Sequence, residues 1–269
     1  MRLQEKVVLI TSAQNPCAHA IALGFAREGA HCIVFDDDAD RVEQLTAKVR
    51  SLGRRALAIQ CDVTKKIQVE EAVSRSVAEF GRIDVLFNCS GIVYGRNFLD
   101  FSEEAFNKCI ERGPKAYFLL SQAVGKQMAA QRSGKIINLS TTDARIASGE
   151  SAGNSAAYSS IDSMTRAIAQ ALGFYGVNVN SLVYGPLGNF SRTSEEAGER
   201  MRRMPLGRFG KPEDLIGAAI FLATEDANFV AGESLVVDAG YANAAVTEDS
   251  FRPPWGRTWG EFQVPPKEQ

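Results

Sequence analysis

The stretch KVVLITSAQNPCAHA, residues 6–20, decides the fold of this chain of 269 residues. The apolar run over 6–11 predicts a buried strand, and the pattern after it predicts a helix from about residue 18 to 28. The same order of short apolar strand and amphipathic helix recurs along the chain. Continuous apolar strands separated by helices are typical of a parallel sheet with both faces covered.

Further strands are predicted at 32–35, 56–61, 83–88, 135–140, 177–183 and 234–240. The fold class is therefore α/β: a single doubly wound Rossmann-type domain with a parallel seven-stranded sheet. We expect this domain to span residues 1–241, with the polar segment 186–205 as a lid. Residues 242–269 are rich in proline and hold both tryptophans, which predicts an irregular, extended C-terminal arm.

Composition excludes several function classes. The net charge of -2 and the interleaved signs argue against a nucleic-acid or membrane surface. No apolar run approaches the length of a spanning helix and the N-terminus does not resemble a signal peptide, so we expect a cytoplasmic protein. The five scattered cysteines are predicted to be buried thiols, and with two histidines no metal site is expected.

A set of motifs in fixed order resembles the short-chain dehydrogenase/reductase family over nearly the whole chain. The motifs are FDDD (35–38), CDVT (61–64), NCSG (88–91), GKIINLS (134–140), Tyr158, VNVNSLVYGP (177–186), RFGKPEDL (208–215) and GESLVVDAGY (232–241). The resemblance implies the Rossmann fold, NAD(P)-dependent oxidoreductase chemistry and an oligomer.

The first turn departs from the family pattern, which reads T-G-x-x-x-G-x-G and binds the dinucleotide pyrophosphate at a helix N-terminus. Ser12, Pro16 and Ala18 stand at the three glycine positions. Ser12 is expected to strain a turn that needs a positive φ, and Pro16 to remove a backbone donor. Ala18 is tolerable. We expect impaired pyrophosphate binding, and the alternative is a shifted turn that bends normally around Asn15-Pro16.

The adenosine side matches the family better. The resemblance places Asp36 at the adenine ribose, Asp62 and Val63 beside the adenine, and Asn88 after the fourth strand. An acidic loop at 36–38, with Asp62 and Asn88 as structural caps, explains the same residues without a nucleotide. We therefore expect no cofactor, or NAD if one binds.

The catalytic positions are altered. Tyr158 matches the family's tyrosine and Thr141 its serine, but Asp162 stands at the lysine position and Gly113 at the asparagine position. Pro114 follows Gly113, and this Gly-Pro pair is expected to break the hydrogen bonding of the long helix. An ionised Asp162 on the same helix face would raise the pKa of Tyr158 instead of lowering it. The cations nearby in sequence lack the spacing of the missing lysine: Arg112, Lys115, Arg145 and Arg166.

These departures favour a pseudoenzyme. In this hypothesis the chain is a non-catalytic subunit that assembles with an active NAD-dependent paralogue, such as a heteromeric dehydrogenase acting on hydroxybenzylsuccinyl-CoA. One alternative is an active NAD(P)-dependent oxidoreductase with an atypical site. Another is a non-redox enzyme that reuses the pocket around Tyr158 and Thr141.

Partner contacts are predicted from residue types. The helices near 103–131 and 156–174 and the last strand suit a homo- or hetero-oligomer. Trp255, Trp259 and Phe262 are candidate interface anchors, unless the arm folds back on its own domain. Arginines in the lid suit an acyl-CoA in the partner's site, or else form a solvated face: Arg192, Arg200, Arg202 and Arg203.

Overall fold

The computed structural model describes residues 1–89, 97–146, 149–188 and 204–243. Within them a parallel sheet has the order β3-β2-β1-β4-β5-β6-β7. The strands are β1 (Val7–Thr11), β2 (His31–Asp36), β3 (Ala56–Gln60), β4 (Val85–Asn88), β5 (Gly134–Thr141), β6 (Val177–Tyr184) and β7 (Ser234–Val237). The predicted seven-stranded Rossmann-type sheet is confirmed, with its strand order reversing between β1 and β4.

Helices cover both faces of the sheet. They are α1 (Pro16–Arg27), α2 (Ala39–Ser51), α3 (Lys66–Phe80), α4 (Glu103–Ile110), α5 (Ala116–Gln131), α6 (Ala152–Leu172) and α7 (Ile216–Ala223). One core cluster packs α1, α2 and α7 on the sheet, and a second packs α3, α5 and α6 on its other face. On the first face the contact is close, since a Cβ on Gly24 of α1 would lie 2.6 Å from Ile216 Cγ2.

The long helix predicted over 103–131 is interrupted. A π-helical turn, Glu111–Lys115, joins α4 to α5, and inside it Gly113 has φ -93° and ψ -111°, outside the helical region. Pro114 lacks the N–H of a regular helical turn, so the backbone cannot continue as one α-helix here. The Gly-Pro break expected from the sequence is confirmed.

Several predicted features lie wholly or mostly outside the described residues. They include 189–203 of the lid with its four arginines, and 244–269 of the C-terminal arm with Trp255, Trp259 and Phe262. The domain boundaries and the interface anchors stay predictions. In the described part of the chain no helix is long and apolar enough to span a membrane, and no group of three metal-ligating side chains occurs. All five cysteines are free and buried, as predicted.

The turn between β1 and α1 bends through a left-handed residue that is not glycine. Ser12 has φ 63°, in the left-handed region, and donates its N–H to Phe35 O at 2.9 Å. Pro16 is the first residue of α1, a position where a missing N–H is tolerated because the first helical N–H groups have no partner within the helix. The predicted strain therefore falls on Ser12 more than on Pro16.

Replacing Ser12 with glycine is expected to stabilise the protein by about 1 kcal/mol, because glycine adopts a positive φ without steric cost. For a domain of this size the melting temperature would rise by roughly 2–4 °C. Ser74 on the exposed side of α3 is the matched control: Ser74→Gly in a helix interior is expected to lower the melting temperature. A fall in both variants would contradict the strain at Ser12.

Candidate active site

The candidate site lies at the carboxyl ends of the strands, where the strand order reverses and ligands of such sheets bind. One pocket there is lined by Ser12, Gln14, Phe35, Asp36, Asp37, Cys61, Asp62, Val63, Thr64 and Arg112. The structure thus brings together Ser12, Asp36, Asp62 and Val63 from three strand ends. Asn88 is not among the residues that line this pocket.

Asp36 at the end of β2 is buried and held by the backbone. Its Oδ2 accepts from the Gln14 N–H at 3.3 Å and its Oδ1 from the Asp38 N–H at 3.1 Å. Burial raises the pKa of this carboxyl above its ordinary value, and Asp37 raises it further. Arg41 Nη1 lies 3.9 Å from Oδ1 and offsets part of that effect. The carboxyl group is thereby fixed at the pocket wall.

The N-terminus of α1 is capped from within. Asn15 Oδ1 accepts the Cys17 N–H at 2.8 Å, and the Ala18 N–H is directed to the Cys89 sulfur. Ala18 is fully buried, in agreement with a packing position. The backbone donors of the turn are therefore in use within the chain, and a phosphate there must compete with the Asn15 carboxamide.

Asn88 belongs to a buried polar chain that joins strands to helices. Its Nδ2 donates to Asn138 Oδ1 at 2.8 Å and to Ser121 Oγ at 3.2 Å. Asn138 Nδ2 donates in turn to Thr165 Oγ1 at 2.8 Å, which contacts Ser181 Oγ at 3.0 Å. This hydrogen-bond network ties β4, β5 and β6 to α5 and α6. It is the structural role that the sequence left open for Asn88.

Tyr158 on α6 is 2 % exposed, and its hydroxyl lies in a cluster of other polar groups. Its neighbours are the hydroxyl of Tyr184, with which it forms a hydrogen bond, the thiol of Cys89 and the carboxyl group of Asp143. Burial raises the pKa of Tyr158 well above its ordinary 10.0, and each of these neighbours raises it further. The phenol is therefore protonated at neutral pH, and its O–H is available as a hydrogen-bond donor.

Thr141 ends β5 at the same edge of the sheet. Its Oγ1 accepts the Asp143 N–H at 3.0 Å, and Thr141 pairs with Tyr184 in the register of β5 and β6. Because the oxygen serves as an acceptor in this contact, the hydroxyl hydrogen can still be donated to a substrate oxygen. Thr141, Asp143, Tyr158 and Tyr184 thus converge on one corner.

Asp162 on α6 lies near the hydroxyls of Ser140 and Ser181. The residue is 8 % exposed, and among the described residues its Oδ1 and the Ser140 Oγ have no hydrogen-bond partner. Burial raises the pKa of Asp162, while the two serines, Arg145 and Arg166 lower it in part. Burial opposes the ionised form that the sequence argument assumed, so the repulsion expected at Tyr158 is weakened.

None of the four candidate cations named from the sequence takes the place of the missing lysine on α6. Arg112 pairs with Asp37 at 3.4 Å, beside the pocket around Asp36, and Lys115 pairs with Glu111 at 3.6 Å. Of these four cations, Arg145 and Arg166 act on Asp162. Gly113 is buried in the π-helical turn and offers only its backbone at the asparagine position.

Two polar residues of the site were missed from the sequence, namely Tyr184 and Asp143. Both follow strands whose existence was predicted, but only the pairing of Thr141 with Tyr184 shows that the ends of β5 and β6 meet. Cys17 and Cys89 complete the inner wall, and burial raises the pKa of the Cys17 thiol to about 12. These thiols are neutral packing groups.

Comparison with known proteins assigns the family. A family profile described as "Enoyl-(Acyl carrier protein) reductase", an adh_short type, matches residues 13–242. The chain belongs to the short-chain dehydrogenase/reductase family. It is 32 % identical to an NAD-dependent glycerol dehydrogenase of Listeria innocua over 89 % of this chain and 94 % of that one.

Two further relatives differ in chemistry. The chain is 31 % identical to the BbsD subunit of (2S)-[(R)-hydroxy(phenyl)methyl]succinyl-CoA dehydrogenase of Thauera aromatica, over 89 % of this chain and 98 % of that one. A crystal structure of a Burkholderia cenocepacia gluconate 5-dehydrogenase in complex with NADP and tartrate superposes with a TM-score of 0.87 at 28 % identity, covering 91 % of this chain and 98 % of that one.

The pseudoenzyme hypothesis is wrong on this comparison. Relatives at about 30 % identity along nearly the whole chain are named as dehydrogenases and reductases, which favours the alternative of an active oxidoreductase with an atypical site. The loss of cofactor binding and proton transfer expected from the sequence was too large for two physical reasons. Pro16 stands where a missing donor is tolerated, and the buried Asp162 carboxyl is driven toward its neutral form.

Asp162→Asn is expected to stabilise the protein at neutral pH. The folded pKa of Asp162 is raised above the unfolded 3.8, so its contribution to stability is full below 3.8 and is lost as pH rises through the folded pKa. The variant removes that loss, so it should unfold at a higher urea concentration than the wild type. This difference should develop between about pH 4 and the folded pKa of Asp162 and persist above it. The exposed Asp100 is the control, since Asp100→Asn should track the wild type at every pH. A wild-type advantage at neutral pH would show that the carboxylate is needed.

Proposed function

We propose that this chain is an active NAD-dependent oxidoreductase that interconverts a hydroxyl and a carbonyl group. The observation that carries the proposal is the protonated, buried Tyr158 hydroxyl beside Thr141 at the carboxyl edge of the sheet, in a chain whose relatives are named dehydrogenases. Sugar-acid, polyol and acyl-CoA dehydrogenases occur among these relatives, and the interconversion is what they share.

The residues present fit the adenosine half of a dinucleotide. Asp36 is fixed by two backbone N–H groups and would accept the ribose hydroxyls, while Asp62 and Val63 line the same pocket for the base. A carboxyl group at this place disfavours a 2′-phosphate, so the proposal is NAD and not NADP. When bound, the nicotinamide supplies or accepts the hydride.

The chain's own residues handle the proton. In reduction, the substrate carbonyl oxygen accepts hydrogen bonds from the Tyr158 and Thr141 hydroxyls, which polarise the bond for hydride addition at carbon. Tyr158 then donates its proton to the developing alkoxide. In oxidation the same proton returns to Tyr158. Asp143 beside the phenol disfavours a substrate carboxylate at this corner, so the reacting carbon lies away from any acid group of the substrate.

We also propose that the chain works as an oligomer, with a second copy or with another member of the family. Its relative from Thauera aromatica is named as a subunit. Large apolar side chains are exposed on α4 and α5, namely Phe106 and Phe118. Co-expression with a neighbouring family member, followed by size-exclusion chromatography, distinguishes the two assemblies by their composition, and a monomer would contradict both.

Tyr158→Phe tests the chemistry directly. With NADH and a panel of ketones, keto sugar acids and 3-oxoacyl thioesters, kcat is expected to fall by about 100-fold or more, since the general acid is lost. Tyr175→Phe, on the surface, is the control. Because the pKa of Tyr158 lies well above 10.0, kcat/KM for reduction should stay level from about pH 6 to 9. For oxidation it should rise about tenfold per pH unit. A wild type that reduces no member of the panel would contradict the proposal.

Asp36→Ala is expected to weaken NADH binding by about tenfold, because hydrogen bonds from ribose hydroxyls to a charged group are lost. The dissociation constant is measured by titration followed with NADH fluorescence. Glu71→Gln on the exposed side of α3 changes the same charge away from the pocket and should leave it unchanged. Equal affinity in both variants would remove the assignment of Asp36 to the ribose.

A further inference from the structure

Tyr184 occupies a place in the candidate site to which neither the family comparison nor the sequence assigned a role. It is the last residue of β6 and pairs with Thr141, the last residue of β5. Side chains of paired residues in neighbouring parallel strands point to the same face of a sheet. Tyr184 therefore packs beside Thr141, against the core cluster that contains Cys17, Cys89 and Leu139.

We propose that Tyr184 is a positioning residue: in the substrate-free site its hydroxyl accepts the hydrogen bond of Tyr158, which keeps the phenol oxygen in place beside Thr141 until a substrate oxygen takes over as acceptor. The inference rests on the oxidoreductase function proposed above. It gives Tyr184 the task of orienting the general acid, which the side chain at 162 does not perform here.

The buried hydroxyl of Tyr158 needs a hydrogen-bond acceptor. A phenol O–H that is buried without a partner costs several kcal/mol of solvation, so the Tyr158 hydroxyl requires one. Its own helix does not provide it at the position one turn on, since the Asp162 carboxyl group is directed at Ser140 and Ser181. The Tyr184 hydroxyl forms a hydrogen bond with Tyr158, and this contact favours the neutral phenol.

The position of Tyr184 is fixed by the strand that carries it. Tyr184 is anchored by a strand that pairs over eight residues with β5, from Gly134↔Val177 to Thr141↔Tyr184. Its ring lies among buried side chains of the cluster on the α1 face. An acceptor on this support holds the Tyr158 oxygen at a fixed distance from Thr141, which is what donation to a common substrate oxygen requires.

Among the groups that act on Tyr158, Tyr184 does so through a hydrogen bond, whereas Asp143 and Cys89 act electrostatically. Tyr117 on α5 lies near Tyr184. The thiol is a weak acceptor. Tyr117 is a matched control, because it is a tyrosine near the same cluster but donates its hydroxyl to the Leu139 carbonyl at 2.8 Å.

The kinetic test compares Tyr184→Phe with Tyr117→Phe, each of which removes one buried hydroxyl and keeps the ring. In Tyr184→Phe, kcat for carbonyl reduction with NADH is expected to fall by about tenfold with KM changed less than about twofold, as for a lost positioning hydrogen bond. The pH at which reduction declines should move lower, because the contact that favours the neutral phenol is gone. Tyr117→Phe should keep the wild-type pH profile. Equal profiles in the two variants, or an unchanged kcat in Tyr184→Phe, would overturn the inference.

A substrate-free measurement separates this inference from the proposed function. Protein labelled with 13C at the tyrosine Cζ gives a carbon signal for each phenol, and Tyr158→Phe assigns the one from Tyr158. Tyr184→Phe is expected to shift that signal at neutral pH, whereas Tyr117→Phe leaves it in place. A shift without any reductase activity in the wild type would refute the proposed function but keep the contact. An unshifted Tyr158 signal in Tyr184→Phe would refute the positioning role even in an active enzyme.

Discussion

Parallel backbone pairing is the constraint on which the rest of this structure depends. Because all seven strands run the same way, the carboxyl ends of β1, β2, β4, β5 and β6 reach one edge of the sheet. The order reverses between β1 and β4, and that reversal leaves room for a ligand between the helices on the two faces. The polar groups assigned to the site follow from this geometry, including the pocket around Asp36 and the hydroxyl cluster around Tyr158.

Burial sets the chemistry of that edge more than formal charge does. Burial and the acidic neighbours make Tyr158 a poor base, and they keep its hydroxyl protonated as a hydrogen-bond donor. Burial likewise drives the Asp162 carboxyl toward its neutral form and holds the thiols of Cys17 and Cys89 protonated. Substitutions at the family's catalytic positions that predict a loss of activity from the sequence therefore have smaller electrostatic effects in the folded chain.

The first turn shows the same distinction in the backbone. Its conformation survives without glycine, because Ser12 adopts the left-handed region and the hydrogen bond to Phe35 O holds it there. Asn15 then caps α1 with its own side chain. The expectation of a damaged turn was right about the residue types and too severe about Pro16, whose effect depends on its position in the helix.

The sequence by itself determined the fold class, the seven strands, the break at Gly113-Pro114 and the grouping of Asp36, Asp62 and Val63 at one pocket, because strand–helix periodicity and motif order are local properties of a chain. It could not show that Tyr184 meets Tyr158, that Asn88 is tied to Asn138, or that Asp162 turns toward Ser140. Those contacts depend on strand register and on the depth of burial. Both are decided by packing between residues far apart in sequence, and only the tertiary structure specifies them.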